Sequence, residues 1–561
     1  MRHTTLAIAL VLALAVPAAL LASAEEEMAT AEDAHLEITW LGDSPDESWW
    51  IGQLEEMFNV TITLDGTARF DGERERIIVA AGEFPDTGAP CCLNTLKLYE
   101  DQVIRSLPED MLRTHAPDYA RAMDERYPAI WTIYQAADME GEQMAMGAIA
   151  EGSMASVFHL FTRKDWLDAL GVELPDYDET KTFLARGIHY YENDALTLDW
   201  LENLLVAYRD GDPDGNGKND TIPYGAYTQG ASPYNSWPWG AIQGALGVPT
   251  MNLDRNHYVD GELYIAHVSP RFREFTELVA RWWDMGLIDS EFFTIDRGAS
   301  WEKAATGAFG VYNSNYNYVG RVPSRPPDNL ISDEDVAAGV ELVMFAPVGP
   351  RGEQFAGMYG TSYVRGQVQV MNKNLDDAKT ARIMEIVNTK YRLNDGTTEG
   401  IDLWIQWEYN HGEEGVHWEW AGEPYNSQTR RIPPDQRPEG AAGRGGFPTN
   451  YPNYSPVESF AFTYPPQQTD WILNHLFGDR VQGQTFATEY FDIFNETDFR
   501  EVSGRRGEAL QTMAAEFFAK AVTGEIDIDA EWDNYVSRWM EAGGDELMAE
   551  IAKMPRWSDF F

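Results

Sequence analysis

Strand and helix patterns alternate through the first hundred residues, and this alternation constrains the fold more than any other feature. The stretch HLEITWLGD predicts a first strand, and WWIGQLEEMFNVTITL predicts a helix followed by a second strand. The stretch RERIIVAAGEFPDTGAP predicts a helix that ends at Gly82. Such alternation is typical of an α/β fold. With 561 residues and 44% hydrophobic content, the chain suffices for two or more lobes.

The N-terminal residues have the pattern of a signal peptide. Arg2 precedes the apolar run LAIALVLALAVPAALL, and Ala22, Ser23 and Ala24 form a small-residue cleavage site. The run is shorter than the roughly 20 residues of a membrane-spanning helix, and Pro17 interrupts it. We therefore predict a cleaved signal peptide over residues 1–24. No cysteine near the cleavage site offers a lipid attachment point, so we expect a mature chain in the periplasm or outside the cell that does not span the membrane.

Charge excludes one broad class of function. The chain has 42 Lys and Arg against 91 Asp and Glu, a formal net charge of −49. An acidic surface of this size repels nucleic acid and anionic membranes, so we do not expect nucleic-acid binding. The same acidity suits high salt, where the Debye length at about 1 M falls to roughly 3 Å and self-repulsion is blunted.

The two cysteines, Cys91 and Cys92, are adjacent. Neighbouring α-carbons are about 3.8 Å apart across a trans peptide, which is below the usual disulfide span of about 4.4–6.8 Å. We therefore favour two free or buried thiols over a bridge.

Residues 209–220, RDGDPDGNGKND, have the pattern of a calcium-binding loop. Oxygen-bearing residues at alternate positions can surround one hard cation, and a glycine at the sixth position permits the sharp turn between them. The predicted ligands are Asp212, Asp214, Asn216, Lys218 through its carbonyl, and Asp220. The alternative is a solvated turn, because Asp, Asn and Gly favour turns for local reasons.

The surroundings of this loop indicate a structural ion rather than a calcium switch. An amphipathic helix precedes the loop, with Leu201, Leu204 and Tyr208 at helical spacing. The twelfth position is Pro223, which cannot supply the usual bidentate carboxylate, and TIPYGAY predicts a strand where a sensor has its exiting helix. We expect the ion to fix a helix to a strand.

Aromatic residues make up 12% of the chain and concentrate in stretches rich in Gly, Pro and Asn, such as SPYNSWPWG and GVYNSNYNYVG. An aromatic ring edged by polar side chains suits a sugar, whose C–H face packs on the ring while its hydroxyls form hydrogen bonds. The alternative for each ring is core packing. The predicted ligand-binding residues are Trp237, Trp239, Tyr234, Tyr312, Asn313, Tyr316, Tyr359 and Trp418.

Catalytic motifs are missing from the sequence. H-E-x-x-H, G-x-S-x-G and G-x-G-x-x-G do not occur, and the ten histidines are scattered. The paired carboxylates of a glycosidase are defined by their separation in space, which the sequence does not give. The sequence therefore gives no catalytic motif, and a secreted carbohydrate-active enzyme (a glycoside hydrolase or lyase) is the alternative function.

Several ordered motifs resemble one family over nearly the whole mature chain. AAGEFPDTG, LFTRKDWLDALGVELPDYDET, DPDGNGKNDTIPYG, the WWDMGLIDSEFF segment and the C-terminal KAVTGEIDIDAEWDNYVSRWMEAGGDELMAEI are similar to segments of the family 1 extracellular solute-binding proteins of ABC importers. Thr221 departs from the family, whose loop commonly has an acid at this place.

The resemblance implies two α/β lobes of the periplasmic-binding-protein type (type II-like), joined by hinge crossings, with a ligand in the cleft between them. It implies lobe boundaries of 25–155 with 355–400, and 156–354 with 401–561. The crossings are expected near residues 148–162 and 345–360. The implied function is that of a receptor and not an enzyme: it captures a small solute of the oligosaccharide class for delivery to an ABC transporter permease.

Overall fold

A computed structural model describes most of the chain. The described residues are 34–42, 49–67, 71–90, 93, 95–135, 140–150, 158–175, 182–229, 232–248, 257–259, 262–320, 325–355, 364–395, 398, 400, 412–438, 454–455, 460–476 and 497–553. The predicted signal peptide over 1–24, Cys91, Cys92 and Tyr359 lie outside these residues.

The strands and helices of the described residues have the following bounds. In chain order the strands are β1 (Leu36–Trp40), β2 (Val60–Leu64), β3 (Thr87–Gly88), β4 (Leu107–Pro108), β5 (Glu142–Gln143), β6 (Met146–Ala150), β7 (Phe158–Arg163), β8 (Thr182–Ala185), β9 (Ile188–Tyr190), β10 (Ile222–Gly225), β11 (His257–Val259), β12 (Glu262–Tyr264), β13 (Phe309–Asn315), β14 (Leu342–Phe345), β15 (Val364–Met371), β16 (Trp418–Trp420), β17 (Thr429–Arg431) and β18 (Tyr454–Ser455). The α-helices are Trp49–Phe58, Gly72–Ala81, Thr95–Glu100, Glu109–His115, Pro117–Arg126, Ala129–Ile133, Lys164–Leu170, Leu198–Asp210, Ser236–Ala245, Pro270–Asp284, Arg297–Ala305, Asp333–Ala337, Asp377–Asn388, Phe460–Thr463, Pro466–Trp471, Thr497–Val522, Ile528–Trp539 and Asp545–Ile551.

The first lobe is built on a six-stranded sheet of order β18-β6-β15-β3-β1-β2. β1 and β2 run parallel, with Leu36 opposite Val60 and Trp40 opposite Leu64, whereas β15 runs antiparallel to β3 and β6. The core includes Ile38, Trp40, Ile62, Val370 and Ile383. The predicted first strand, helix and second strand are confirmed.

The helix Gly72–Ala81 ends where the sequence predicts. Gly82 follows it with a left-handed φ of 72°, a conformation that glycine adopts without steric strain, and its backbone N–H reaches back to the last turn. At the other end, the carboxylate of Asp71 accepts a hydrogen bond from the backbone N of Arg74. The helix is thus capped at both ends, and the sequence predicts its C-terminal end.

The second lobe has its own six-stranded sheet, of order β10-β13-β7-β14-β9-β8. β10 runs parallel to β13, and β7 runs antiparallel to both β13 and β14. One core includes Leu201, Trp239, Phe275, Trp282 and Phe518, so the C-terminal helices pack in this lobe. A second core lies around Phe161, Tyr312, Tyr316, Met344 and Trp471. The two sheets establish the predicted α/β, two-lobe fold.

The chain passes between the two sheets at the places predicted for hinge crossings. β6 of the first sheet is followed by β7 of the second, and β14 of the second sheet is followed by β15 of the first. Phe355, just before the return crossing, is fully buried and its ring lies 6.0 Å from that of His159 and 5.8 Å from that of His475.

One strand departs from the predicted lobe boundaries. We assigned residues 401–561 to the second lobe, but β18 pairs in parallel with β6 at the edge of the first sheet, with Tyr454 opposite Ile149. The chain therefore makes a further passage between the sheets before the helix Phe460–Thr463, which lies against the second lobe. Within the described residues, no helix is both long enough and apolar enough to cross a membrane.

Candidate functional site

One edge of the second sheet faces the crossing segments. β13 ends at Asn315, which pairs with Phe158, the first described residue after a crossing. β10 and β14 run parallel to β13, so Gly225 and Phe345 end at the same edge. In open α/β sheets, ligands bind in the crevice beyond the carboxyl ends of the strands. This edge is therefore the candidate wall of a binding cleft.

Trp237 lies at this edge, in the first turn of the helix Ser236–Ala245. The side chain of Asn235 caps the helix by accepting a hydrogen bond from the backbone N of Trp237, at 2.9 Å. The Asn313 amide fixes the same turn from β13, since its Nδ2 donates to the Trp237 carbonyl at 2.6 Å and its Oδ1 accepts from Ala241 N at 3.0 Å. The Trp237 ring is half-buried and packs edge-on against Phe158, with centroids 5.2 Å apart.

Trp237 belongs to a group of three aromatic rings and two arginines, which we call the aromatic–arginine patch. Its members are Trp237, Arg297, Trp301, Tyr318 and Arg325. The rings of Trp237 and Tyr318 are stacked at 6.2 Å, with an interplanar angle of 21°. The Arg297 guanidinium lies 5.2 Å from the Trp237 ring centroid and 5.1 Å from that of Trp301. The Arg325 guanidinium lies 4.9 Å from Trp301 and 5.1 Å from Tyr318. All five side chains are partly exposed.

The arginines of this patch differ from most others in the protein. Neither guanidinium forms an ion pair or a side-chain hydrogen bond with any residue that the structure describes. Elsewhere, Arg163 pairs with Asp165 and Asp335, and Arg105 pairs with Asp377. The patch therefore presents two positive charges and ten guanidinium N–H donors without an acidic partner among the described residues.

Two of the predicted ligand residues lie in the core, and their prediction is wrong. Trp239 is fully buried, stacks on Tyr224 with centroids 5.0 Å apart, and donates from Nε1 to the Pro233 carbonyl at 3.0 Å. Tyr234 is buried against Phe272 and Phe518. Both rings form part of the main core of the second lobe, which was the alternative explanation of these aromatics.

Three further predicted rings are also closed to solvent. The Tyr312 hydroxyl lies 3.0 Å from Ser300 Oγ, and burial raises the pKa of Tyr312 well above its usual value. Tyr316 packs on Trp471 at 5.5 Å, and Trp418 donates from Nε1 to the Gly412 carbonyl at 2.7 Å. None of the three presents a ring face to the surface, which corrects their prediction as stacking platforms. Asn313 is buried too, and it positions Trp237 from behind.

Four members of the patch were not predicted from the sequence. Arg297 and Trp301 are four residues apart on the helix Arg297–Ala305, a spacing that brings side chains together on one helix face. Tyr318 lies in GVYNSNYNYVG, the stretch that contains the predicted residues Tyr312, Asn313 and Tyr316. Arg325 offers no local signal, because its partner Trp301 lies 24 residues earlier in the chain.

In the predicted calcium loop, the polar side chains converge on Asn216. Asn216 Nδ2 donates to Asp214 Oδ2 at 2.8 Å and to Asp220 Oδ1 at 3.0 Å. Asp212 accepts from the backbone N of Asn216 and Gly217, at 3.0 and 2.8 Å. Gly215 and Gly217 have left-handed φ values of 69° and 84°, which glycine permits.

The fit of this loop to a calcium ion is partial. The predicted helix before it and the predicted strand after it are confirmed as Leu198–Asp210 and β10. The donor set of three carboxylates and an amide has the hard oxygens that calcium prefers. As the side chains lie, however, no group of three His, Cys, Asp or Glu in the described part of the chain is arranged to hold a metal ion. The calcium site stays a prediction.

The carboxyl edge of the first sheet offers a second candidate wall. After β2, the carboxylate of Asp65 accepts hydrogen bonds from Gly42 N at 2.8 Å and from Thr67 Oγ1 at 2.6 Å. This ties together the turns that follow β1 and β2. At Gly88, the last residue of β3, an added Cβ would lie only 2.3 Å from Leu41 Cβ, so this position requires glycine. The Asp65 carboxylate thus makes the rim after β1 and β2 polar.

Comparison with known proteins finds the same fold in substrate-binding proteins. No family model matches the chain. The chain is 22% identical over 399 residues to lipoprotein LipO of Bacillus subtilis, covering 70% of this chain and 68% of LipO. It is also 22% identical over 374 residues to the fructooligosaccharide ABC transporter substrate-binding protein FusA of Streptococcus pneumoniae, covering 64% of this chain and 62% of FusA.

Solved structures agree over a larger share of the chain. FusA in complex with kestose matches with a TM-score of 0.64 at 18% identity, covering 92% of this chain and 97% of FusA. An HMO-binding, ABC-transporter-associated solute-binding protein from Bifidobacterium longum infantis matches with a TM-score of 0.68 at 16% identity, covering 92% and 98%. The predicted resemblance and two-lobe fold are confirmed.

Proposed function

We propose that this protein is an exported substrate-binding receptor that captures an oligosaccharide between its two lobes and delivers it to an ABC import permease. The observation that carries the proposal is the position of the aromatic–arginine patch. Its partly exposed rings stand at the sheet edge from which the chain crosses between lobes. FusA and the HMO-binding protein share this fold.

The chemistry of the patch suits a sugar. Trp237, Trp301 and Tyr318 offer partly exposed apolar ring surface beside the two guanidinium groups, against which the C–H groups of a pyranose or furanose ring pack. The Asn313 hydrogen bonds and the Asn235 cap hold Trp237 in place before any ligand arrives. A pre-ordered ring loses little conformational entropy on binding, which favours affinity.

A calorimetric panel tests the proposal. Kestose, maltotriose and milk-type and uronate oligosaccharides are titrated into the full mature chain, and each mixture is analysed by chromatography after prolonged incubation. We expect saturable binding of at least one oligosaccharide, recovered unchanged. Turnover of the bound sugar would instead support the alternative of a carbohydrate-active enzyme, and absence of binding across the panel would contradict the proposal.

A matched pair of variants locates the site. Trp301→Ala removes a half-buried ring from the patch, and Trp283→Ala removes a half-buried ring that packs on Phe293 elsewhere in the same lobe. We expect Trp301→Ala to lose affinity for the bound sugar and Trp283→Ala to keep it. Equal effects of the two substitutions would show that the patch is not the binding surface.

We further propose that the loop from Asp212 to Asp220 binds calcium for stability. The helix before the loop and the strand after it are the parts that an ion would join. A solved structure of FusA with fructo-nystose is that of an EF-hand mutant, so a loop of this type occurs in a relative. The residues that would hold the ion are Asp212, Asp214, Asn216, Lys218 through its carbonyl, and Asp220.

A further inference from the structure

Resting on the proposed function, we infer that the aromatic–arginine patch selects oligosaccharides that carry carboxylate groups, such as uronate units. Two partly exposed guanidinium groups stand there among rings suited to stack on sugars. Neither group has an acidic partner among the described residues, in a chain with 91 acids. The ligand, rather than the protein, supplies the missing negative charge.

Both arginines contact one ring of the patch, which brings their guanidinium groups within reach of one oligosaccharide. The guanidinium carbons of Arg297 and Arg325 lie 5.1 and 4.9 Å from the ring centroid of Trp301. Arg297 also contacts the ring of Trp237, and Arg325 also contacts that of Tyr318. Contact with an aromatic ring engages the guanidinium through its charge and leaves N–H donors at its edge for a planar acceptor. A carboxylate accepts two such parallel hydrogen bonds.

The described acids on neighbouring elements form no ion pair with these two arginines and are engaged elsewhere or exposed. Asp296 caps the helix Arg297–Ala305 by accepting from Ala299 N at 2.9 Å, and Asp328 is buried and accepts from Gly320 N at 2.8 Å. Glu302 is exposed on the same helix and forms no ion pair with a described residue. The wider net charge of −49 acts over longer distances, and at physiological salt the Debye length of about 8 Å screens most of it.

A neutral sugar fits the same surface less well. A ligand that covers two guanidinium groups removes the water that their N–H donors were bound to. Sugar hydroxyls replace only part of the hydrogen-bond energy that is lost with this water. A carboxylate replaces this energy through charge-assisted hydrogen bonds, which are about twice as strong as neutral ones. The patch therefore discriminates in favour of an acidic unit placed next to a stacked ring.

Paired ligands that differ only in charge test the inference. Trigalacturonate, trimannuronate and triglucuronate are titrated beside their methyl esters, with kestose and maltotriose as neutral sugars. We expect one free acid to bind at least roughly tenfold more tightly than its ester, the effect of one charged hydrogen bond. Raising the salt concentration should weaken binding of the acid more than binding of the ester.

Three variants assign the effect to the patch. Arg297→Gln and Arg325→Gln each remove one guanidinium, and Arg505→Gln removes the same charge from an exposed pair with Glu546 in the C-terminal helices. We expect the first two to weaken binding of the acid by roughly tenfold to a hundredfold while the ester binds as before. Arg505→Gln should leave both affinities unchanged.

The outcomes separate this inference from the proposed function. If a neutral sugar or an ester binds as tightly as any acid, and both arginine variants keep that affinity, the inference is overturned and the receptor function stands. If the acid is preferred but Arg505→Gln weakens it equally, the preference does not come from the patch and the inference is again overturned. Absence of binding by every acidic and neutral sugar overturns both proposals.

Discussion

Replacing Trp239 by alanine should destabilise the second lobe without removing its binding surface. The ring is fully buried and stacked on Tyr224, and its Nε1 donates to the Pro233 carbonyl. Truncating a buried tryptophan costs about 3–5 kcal/mol in unfolding free energy. Loss of the hydrogen bond to Pro233 adds about 1 kcal/mol. The expected total is therefore about 4–6 kcal/mol.

Trp237→Ala, two residues away, should have the opposite profile. Its ring is half-buried, so we expect a stability loss of less than about 2 kcal/mol. The exposed part of the ring is available to a sugar, and packing on an aromatic ring contributes about 1–3 kcal/mol on the scale measured for nucleic-acid bases. Affinity should therefore fall by roughly tenfold to a hundredfold.

The assay measures both variants twice, by urea unfolding and by calorimetric titration at low temperature with the sugar that the panel identifies. Trp239→Ala should unfold at lower urea concentration and bind with nearly wild-type affinity, whereas Trp237→Ala should remain stable and bind weakly. The reasoning is refuted if Trp239→Ala keeps its stability and loses affinity, because its ring would then reach the ligand. Normal binding by Trp237→Ala would exclude that residue from the site.

Three further predictions concern the whole molecule. Ligand at saturation should reduce the radius of gyration measured by small-angle scattering, because the lobes close, and an unchanged radius would contradict closure. Chelation should lower the melting temperature, since calcium at a hundredfold excess over Kd stabilises the fold by about 2.7 kcal/mol. Asp212→Ala should remove this response to chelation. If chelation leaves the melting temperature of the wild type unchanged, the loop is a solvated turn. Burial lowers the pKa of His267 to about 3 from its usual 6.5, because the buried ring resists protonation. The contribution of the neutral ring to folding stability is therefore complete above pH 6.5 and is lost as the pH falls toward 3. His267→Phe should reduce the change in unfolding free energy between pH 7.5 and 4.5, measured by urea titration. If that change is unaltered, the pH dependence of stability comes from other groups.

The fold was predictable where the sequence signal is local. The helix Leu198–Asp210 buries Leu201, Leu204 and Tyr208 at the spacing that predicts it, and Thr197 caps its first turn. β18 gives no such signal, since it has two residues and depends on β6, which lies about three hundred residues earlier in the chain. A strand this short is defined by its partner and not by its own sequence.

The site was only partly predictable, and the pair Trp237 and Trp239 shows why. We interpreted SPYNSWPWG as a loop, in which both rings face a cleft, but a helix begins at Ser236 with Pro238 in its first turn. At 3.6 residues per turn, positions two apart point to roughly opposite sides. One ring therefore faces the sheet edge while the other enters the core, and the sequence does not say which.

The pairing of β3 with β15 determines how late in synthesis the first sheet can form. Thr87 lies opposite Met371, 284 residues later in the chain. At about 5–20 residues per second, the ribosome needs roughly 15–60 s to supply that partner, and β18 emerges later still. Until then the edge of β3 has unpaired N–H and C=O groups that other chains can join. The edge of β3 is therefore open to pairing with other chains until the residues of β15 are available.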